Sequence, residues 1–237
     1  MTTWTMPPEW EPHKATWMGF PTGAYDTAGV SDDDVFDAWA QVANTVSEHE
    51  PVHMLCHPQH AKVARKKLAG VVSIHEVEID DAWLRDSGPT FVVGDAGLGG
   101  VDWVFNGWGD HTAFDWARDA KIAQYIIDLT GAELITSNLV NEGGGITVNG
   151  SGDVLLTWTV QLDPGRNPAA SALEVESEIH RRLGTQRAIW FEEGLWRDYQ
   201  EHGTRGRVDM IAAFAPDGSV LLHRQFDTQH PDGKLWQ

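Results

Sequence analysis

Between residues 80 and 223 one local pattern occurs three times, and it restricts the fold more than any single motif does. In each copy an acidic residue stands at or just before a short apolar strand. The strand runs into a Gly/Asp turn, and a second apolar strand returns from it. The first copy is Asp86, a strand over 89–93, the turn Gly94-Asp95-Ala96-Gly97 and a strand over 101–105. The second is Glu142, a strand over 145–148, the turn Asn149-Gly150-Ser151-Gly152 and a strand over 154–159. The third is Asp209, a strand over 210–214, the turn Pro216-Asp217-Gly218 and a strand over 219–223. A helix fills each interval between copies. One is expected over 114–130, where Ile122, Tyr125, Ile126 and Leu129 lead to Gly131, and one over 167–183, with Asn167 as cap and Pro168 in the first turn. Hairpins alternating with helices predict an α/β chain. Repeated modules of this kind commonly gather around an axis and bring equivalent strand ends together. Asp86, Glu142 and Asp209 would then converge on one pocket. A single Asp beside a turn usually caps backbone amides, whereas three in register point to a shared site.

The segment before the repeats also alternates helix and strand. Residues 32–49 read as a helix with Ser31 as N-cap and Val35, Trp39, Val42 and Val46 on one face. A buried strand over 52–56 follows, then a helix over 58–69 with Ala61, Ala64 and Leu68 on one face and Gly70 as its stop. With 41% hydrophobic residues the 237-residue chain has enough apolar material for a core, and one domain over residues 1–237, or one with closely fused submodules, is expected. No apolar run approaches the ~20 residues that cross a bilayer, and no basic-then-apolar leader precedes Met6-Pro7-Pro8. A cytoplasmic protein is expected. The single cysteine, Cys56, excludes an internal disulfide and a cysteine-based zinc cluster, and its apolar strand marks it as an inert core residue. With 17 basic and 35 acidic side chains the net charge is −18, which repels nucleic acid and anionic membrane surfaces. That charge attracts a cationic small molecule, although an acidic surface also serves solubility alone.

Clustered carboxylates with aromatic neighbours suit a delocalised cation. A planar guanidinium donates paired hydrogen bonds to carboxylates, and aromatic faces attract it. Trp83 stands three residues before Asp86, and Trp108 lies within Phe105-Asn106-Gly107-Trp108-Gly109; either could wall such a pocket, and either could equally be core.

Longer motifs carry a resemblance. Met6-Pro7-Pro8-Glu9-Trp10-Glu11-Pro12-His13, Asp80-Asp81-Ala82-Trp83-Leu84-Arg85-Asp86-Ser87-Gly88-Pro89, Phe105-Asn106-Gly107-Trp108-Gly109, Asn141-Glu142-Gly143-Gly144-Gly145 and Gln161-Leu162-Asp163-Pro164-Gly165-Arg166-Asn167-Pro168 occur in order along the whole chain. Together they closely resemble the agmatine deiminase branch of the guanidine-modifying enzymes, which includes the bacterial-type peptidylarginine deiminases. The resemblance implies a pseudo-fivefold α/β propeller. It implies hydrolysis of a guanidine, typically agmatine, to N-carbamoylputrescine and ammonia in putrescine biosynthesis, without a cofactor. It also implies a thiolate that attacks the guanidinium carbon and a histidine that shuttles protons. Asp86 and Asp209 match the carboxylates that grip the guanidinium, Glu142 matches the one beside the histidine, and Trp83 and Trp108 are the candidate walls.

Two departures modify that expectation. The family pattern Gly-His-Val/Ile-Asp reads Gly206-Arg207-Val208-Asp209, which places at the histidine position an arginine that stays protonated. His202, five residues earlier, is expected to face solvent. The family's nucleophilic cysteine belongs to a last module of a longer chain, so the sequence reads as an incomplete propeller of about three modules, C-terminally truncated and inactive by itself. Bare module faces predict a homo-oligomer. The alternative is a non-catalytic guanidinium-binding or subunit-pairing remnant.

Overall fold

The computed structural model describes residues 3–23, 29–110 and 115–234. In chain order the strands are β1 (Trp4–Thr5), β2 (Thr16–Gly19), β3 (Val52–Cys56), β4 (Ser73–Glu76), β5 (Thr90–Gly94), β6 (Gly97–Val104), β7 (Glu133–Val140), β8 (Thr147–Val148), β9 (Asp153–Thr157), β10 (Arg187–Phe191), β11 (Ala212–Phe214) and β12 (Val220–Leu222). The helices are α1 (Asp32–Val46), α2 (Ala61–Lys67), α3 (Leu84–Ser87), α4 (Gly107–Asp110), α5 (Ile122–Thr130), α6 (Trp158–Gln161) and α7 (Ala172–Leu183). This is the mixed α/β chain that the sequence predicts. The chain divides into two compact units: Pro12–Leu84 with Trp116–Asp119, and Met1–Glu11, Arg85–Asp115 and Ala120–Gln237.

The smaller unit is a parallel sheet in the order β2-β3-β4. Helix α1 starts where Ser31 Oγ accepts from the Asp34 amide, and three aspartates in its first turn favour the positive end of the helix dipole. Its buried face is Val35, Phe36, Ala40 and Ala43, not the expected Val35/Trp39/Val42/Val46 stripe, and Val42 is 54% exposed. Two apolar stripes overlap on this helix. The alanine-bearing one is buried because Ala40 and Ala43 share a core with Ala61 and Ala64 of α2, and small residues permit close approach. Helix α2 is preceded by a 3-10 turn at Pro58–His60 and ends at Lys67 with Leu68 as C-cap, before the expected Gly70 stop. The Asn44 side chain accounts for the early end, because it donates to Lys67 O and accepts from the Ala69 amide.

In the larger unit the three sequence copies become three antiparallel hairpins, β5/β6, β8/β9 and β11/β12. The first is joined across Gly94 and Gly97 and extends to the sheet β1-β5-β6-β7. The second extends to β10-β9-β8, and the third stands as a two-stranded sheet. The described residues thus hold four sheets, one more than the three copies, because β2-β3-β4 contains no hairpin. Helix α5 buries Ile122, Ala123, Ile126 and Ile127 but leaves Leu129 exposed. It begins eight residues later than expected, after a 3-10 turn at Asp119–Lys121; Phe114 lies outside the described residues. Helix α7 begins at Ala172, not Asn167. Ser171 and Glu174 form its capping box, and Asn167 is taken up by Val140 and Gln161. Val175, Ile179 and Leu183 of α7 complete a core with Val92, Val101, Ile135, Val154 and Leu156.

Candidate functional site

Each hairpin is preceded by one helical turn, and the acidic residue of each copy stands at that turn. Asp86 lies in α3, Glu142 precedes the 3-10 turn Gly143–Gly145, and Asp209 lies in the 3-10 turn Val208–Met210. The three turns meet inside the larger unit. The amide of Gly144 donates to Asp86 Oδ1 at 3.2 Å, and Trp108 Nε1 donates to Asp86 Oδ2 at 3.0 Å. Arg207 Nη1 also donates to Asp86 Oδ2, and Arg207 Nε stands 3.6 Å from Asp209 Oδ1. Asp86, Asp209, Trp108 and Arg207 are therefore one cluster, and Glu142, two residues before Gly144, lies within electrostatic reach of Asp86 and Arg207.

Glycines make the approach possible. A Cβ on Gly144 would lie 2.8 Å from both Arg207 Nη1 and Asp209 Oδ2, and one on Gly143 would overlap the carbonyl oxygen of Arg85. Trp108 is delivered by an unusual backbone, since it adopts φ 61° and ψ 43° between left-handed Gly107 and Gly109. Such a conformation costs a bulky residue roughly 1–2 kcal/mol. The ring repays that cost by burial, an edge-to-face contact with Phe105 at 5.3 Å and the bond to Asp86.

Glu142 is fully buried and paired with Arg166, whose Nε donates to Glu142 Oε1 at 2.8 Å. Arg166 Nη1 donates to Asp163 Oδ2 at 2.6 Å and Nη2 to Thr204 O at 2.9 Å. Arg166 falls within one of the sequence motifs, but the motif alone gives it no role. A signal was available, since an arginine in a Pro-Gly turn beside apolar segments needs acidic partners if it is buried. Gln161 and Asn167 secure the same segment through Asn141, Gly145 and Val140.

Arg207 is presented by a clamped loop. The Asp198 carboxylate accepts from the amides of Thr204, Gly206 and Arg207 and from the Thr204 hydroxyl. Burial alone would raise the Asp198 pKa, but these donors outweigh it and hold it below the usual range. Burial likewise pushes the carboxyls of Glu142 and Asp209 upward, against the pull of Arg166 and Arg207 respectively. For Arg207, burial opposes the charge, yet Asp86, Asp209 and Glu142 together raise its pKa. The group at this position stays cationic and cannot serve as a base.

The other sequence candidates are described within their own units. Trp83 belongs to the smaller unit, where its ring meets that of Trp39 edge-on at 5.7 Å. His202 is exposed at a left-handed backbone position, as expected for a loop residue. Cys56 sits in the core of the smaller unit, and burial pushes its thiol up to about 11, as expected for an inert residue. Among the described residues no group of three or more His, Cys, Asp or Glu is placed to hold a metal ion. No helix among them is long and apolar enough to cross a membrane.

Comparison with known proteins agrees with this geometry. A Streptomyces coelicolor protein provisionally named as an agmatine deiminase is 52% identical over 237 residues, covering 97% of this chain and 68% of its own length. The agmatine deiminase of Pseudomonas aeruginosa is 36% identical over 233 residues, covering 96% of this chain and 62% of the relative. Among solved structures, the agmatine deiminase of Enterococcus faecalis superposes with a TM-score of 0.88 at 29% identity, covering 98% of this chain and 64% of that one. The chain thus spans about two thirds of the length of the relatives it matches. Residues 5–237 match the Porphyromonas-type peptidyl-arginine deiminases, and the chain belongs to that family.

Proposed function

We propose that the cluster around Asp86 is the guanidinium-gripping part of an agmatine deiminase-type site. The observation that carries this reading is that Asp86, oriented by Trp108 and Gly144, already holds a guanidinium, that of Arg207. In the reaction water supplies an oxygen to the guanidinium carbon, one C–N bond breaks, and agmatine becomes N-carbamoylputrescine with release of ammonia, a step toward putrescine in the cytoplasm. Asp86 and Asp209 would bind the nitrogens, and Glu142, held by Arg166, would be the carboxylate that stands beside the family's histidine position. Of the two candidate aromatic walls, Trp108 borders Asp86. The same resemblance supports arranging the hairpin modules as part of a pseudo-fivefold propeller.

The 237 residues by themselves are not expected to turn over substrate. Their one cysteine is a buried thiol, and the position of the proton-shuttling histidine is Arg207. A non-catalytic guanidinium-binding role is therefore the second reading, favoured by the permanent charge at residue 207.

The experiment has two arms. Ammonia release from agmatine is expected to be absent in the parent chain and in Arg207→His alone, and Cys56→Ser is expected to change nothing. Turnover that depends on Cys56 would refute the assignment. In Arg207→His, calorimetry is expected to show agmatine bound in preference to putrescine, which has the amine but no guanidine, with the preference lost on Asp86→Asn. Equal binding of the two amines would remove the site reading.

A further inference from the structure

The cluster contains more acceptors than Arg207 satisfies. Arg207 Nη1 bonds Asp86, but Arg207 Nε, Asp209 Oδ1 and Glu142 Oε2 are buried and meet no hydrogen-bond partner among the described residues. The tether explains the mismatch. Nε is bonded to Cδ and offers a single N–H, and the side chain enters from a backbone that the Asp198 clamp holds, so this tethered guanidinium hydrogen-bonds Asp86 but only faces Asp209, at 3.6 Å. An untethered guanidinium ion has N–H donors on every edge and carries no such restriction.

We propose that the Arg207 side chain is a built-in occupant of a guanidinium site, and that shortening it opens a cavity selective for a free guanidinium or alkylguanidinium ion. The proposal rests on the site reading above and adds how the site is occupied. Two features keep the cavity in place once the side chain is gone. The loop is held through its backbone, by Asp198 and by Arg166 Nη2 on Thr204 O, and not by the guanidinium. The floor is the bare backbone of Gly144, which has no Cβ to fill the space. Arg207 would then act as an internal competitor of any guanidine ligand.

The test is thermal melting of the full 237-residue chain, as parent, Arg207→Ala and Arg207→His, in millimolar guanidinium chloride, with sodium chloride and urea as controls. The parent is expected to show no guanidinium-specific shift. Both variants are expected to gain about 3–6 °C at a tenfold excess over Kd, and Asp86→Asn is expected to abolish the gain. If Arg207→Ala does not fold alone, guanidinium-dependent refolding gives the same readout, and Arg207→His carries the family's residue at this position. A parent shift equal to that of the variants would overturn the proposal, as would natively folded variants that gain nothing. Asp86-dependent agmatine binding with Arg207 intact would overturn occupancy while leaving the site reading in place. Equal agmatine and putrescine binding in Arg207→His would remove both.

Discussion

Arg166 carries its charge at zero side-chain exposure, and its contribution to stability follows from what surrounds it. Its guanidinium is shared by Glu142, Asp163 and the Thr204 carbonyl, so removing either charge of the central pair strands the other in a medium that solvates it poorly. Arg166→Met is expected to cost about 3–5 kcal/mol. In the double variant with Glu142→Gln part of that loss is expected to return, because the stranded carboxylate is gone. Urea denaturation of the four members of the cycle measures this, and a loss under about 1 kcal/mol for the single variant would mean that water solvates the pair.

At the scale of elements, the turns and loops that carry the site residues are held by carboxylates that accept backbone amides. Asp198 does this for residues 204–207, and Asp119 does it in the smaller unit for the amides of Asp80 and Asp81. Burial pushes the Asp119 carboxyl up to about 7, against the pull of those two amides. Unfolded, the group titrates near the ordinary aspartate value of about 4. Between those values the folded chain keeps a proton that the unfolded chain has lost. The resulting stability is fully present below about pH 4, declines as pH rises toward 7, and is lost above it. Relative to Asp119→Asn, the parent is expected to lose on the order of 2–4 kcal/mol across that window. Melting curves at pH 4–8 for both chains test the sign, and parallel profiles would refute it.

For the whole chain, the third hairpin is where association is expected. Val220, Leu221 and Leu222 of β12 and the nearby Phe226 are exposed, the last at 78%, and β12 pairs with β11 alone among the described residues. An unpaired apolar edge strand favours pairing with another chain, and a net charge of −18 opposes it more strongly at low salt than at high salt. Dimers or larger species are therefore expected at tens of micromolar, increasing with ionic strength, and Leu221→Lys with Phe226→Lys is expected to shift the population to monomer. Sedimentation velocity measures it. A parent chain that stays monomeric at high salt would show that this edge does not pair.

By itself the sequence determined the features whose causes are local. The hairpins could be read because turn residues and alternating apolar positions lie within about twelve residues of each other. Strand β3 and the N-cap of α1 were legible for the same reason. Asp86, Glu142 and Asp209 stand at equivalent points of the three copies, and in the larger unit Arg207 joins Asp86 to Asp209 while Glu142, two residues before Gly144, is paired with Arg166. Other features depended on partners far along the chain. Asn44 ends α2 early, and Ala61 and Ala64 decide which stripe of α1 is buried. Asn167 is held by Val140 and Gln161 and so cannot cap α7. Arg166 gained its role only from Glu142 and Thr204, and Arg207 found Asp86 across 121 positions of sequence. Spacing predicts which face a residue takes within its own element. Which distant group satisfies a buried charge is decided only when the chain is folded, because an unpaired charge in the interior costs more than any local preference supplies.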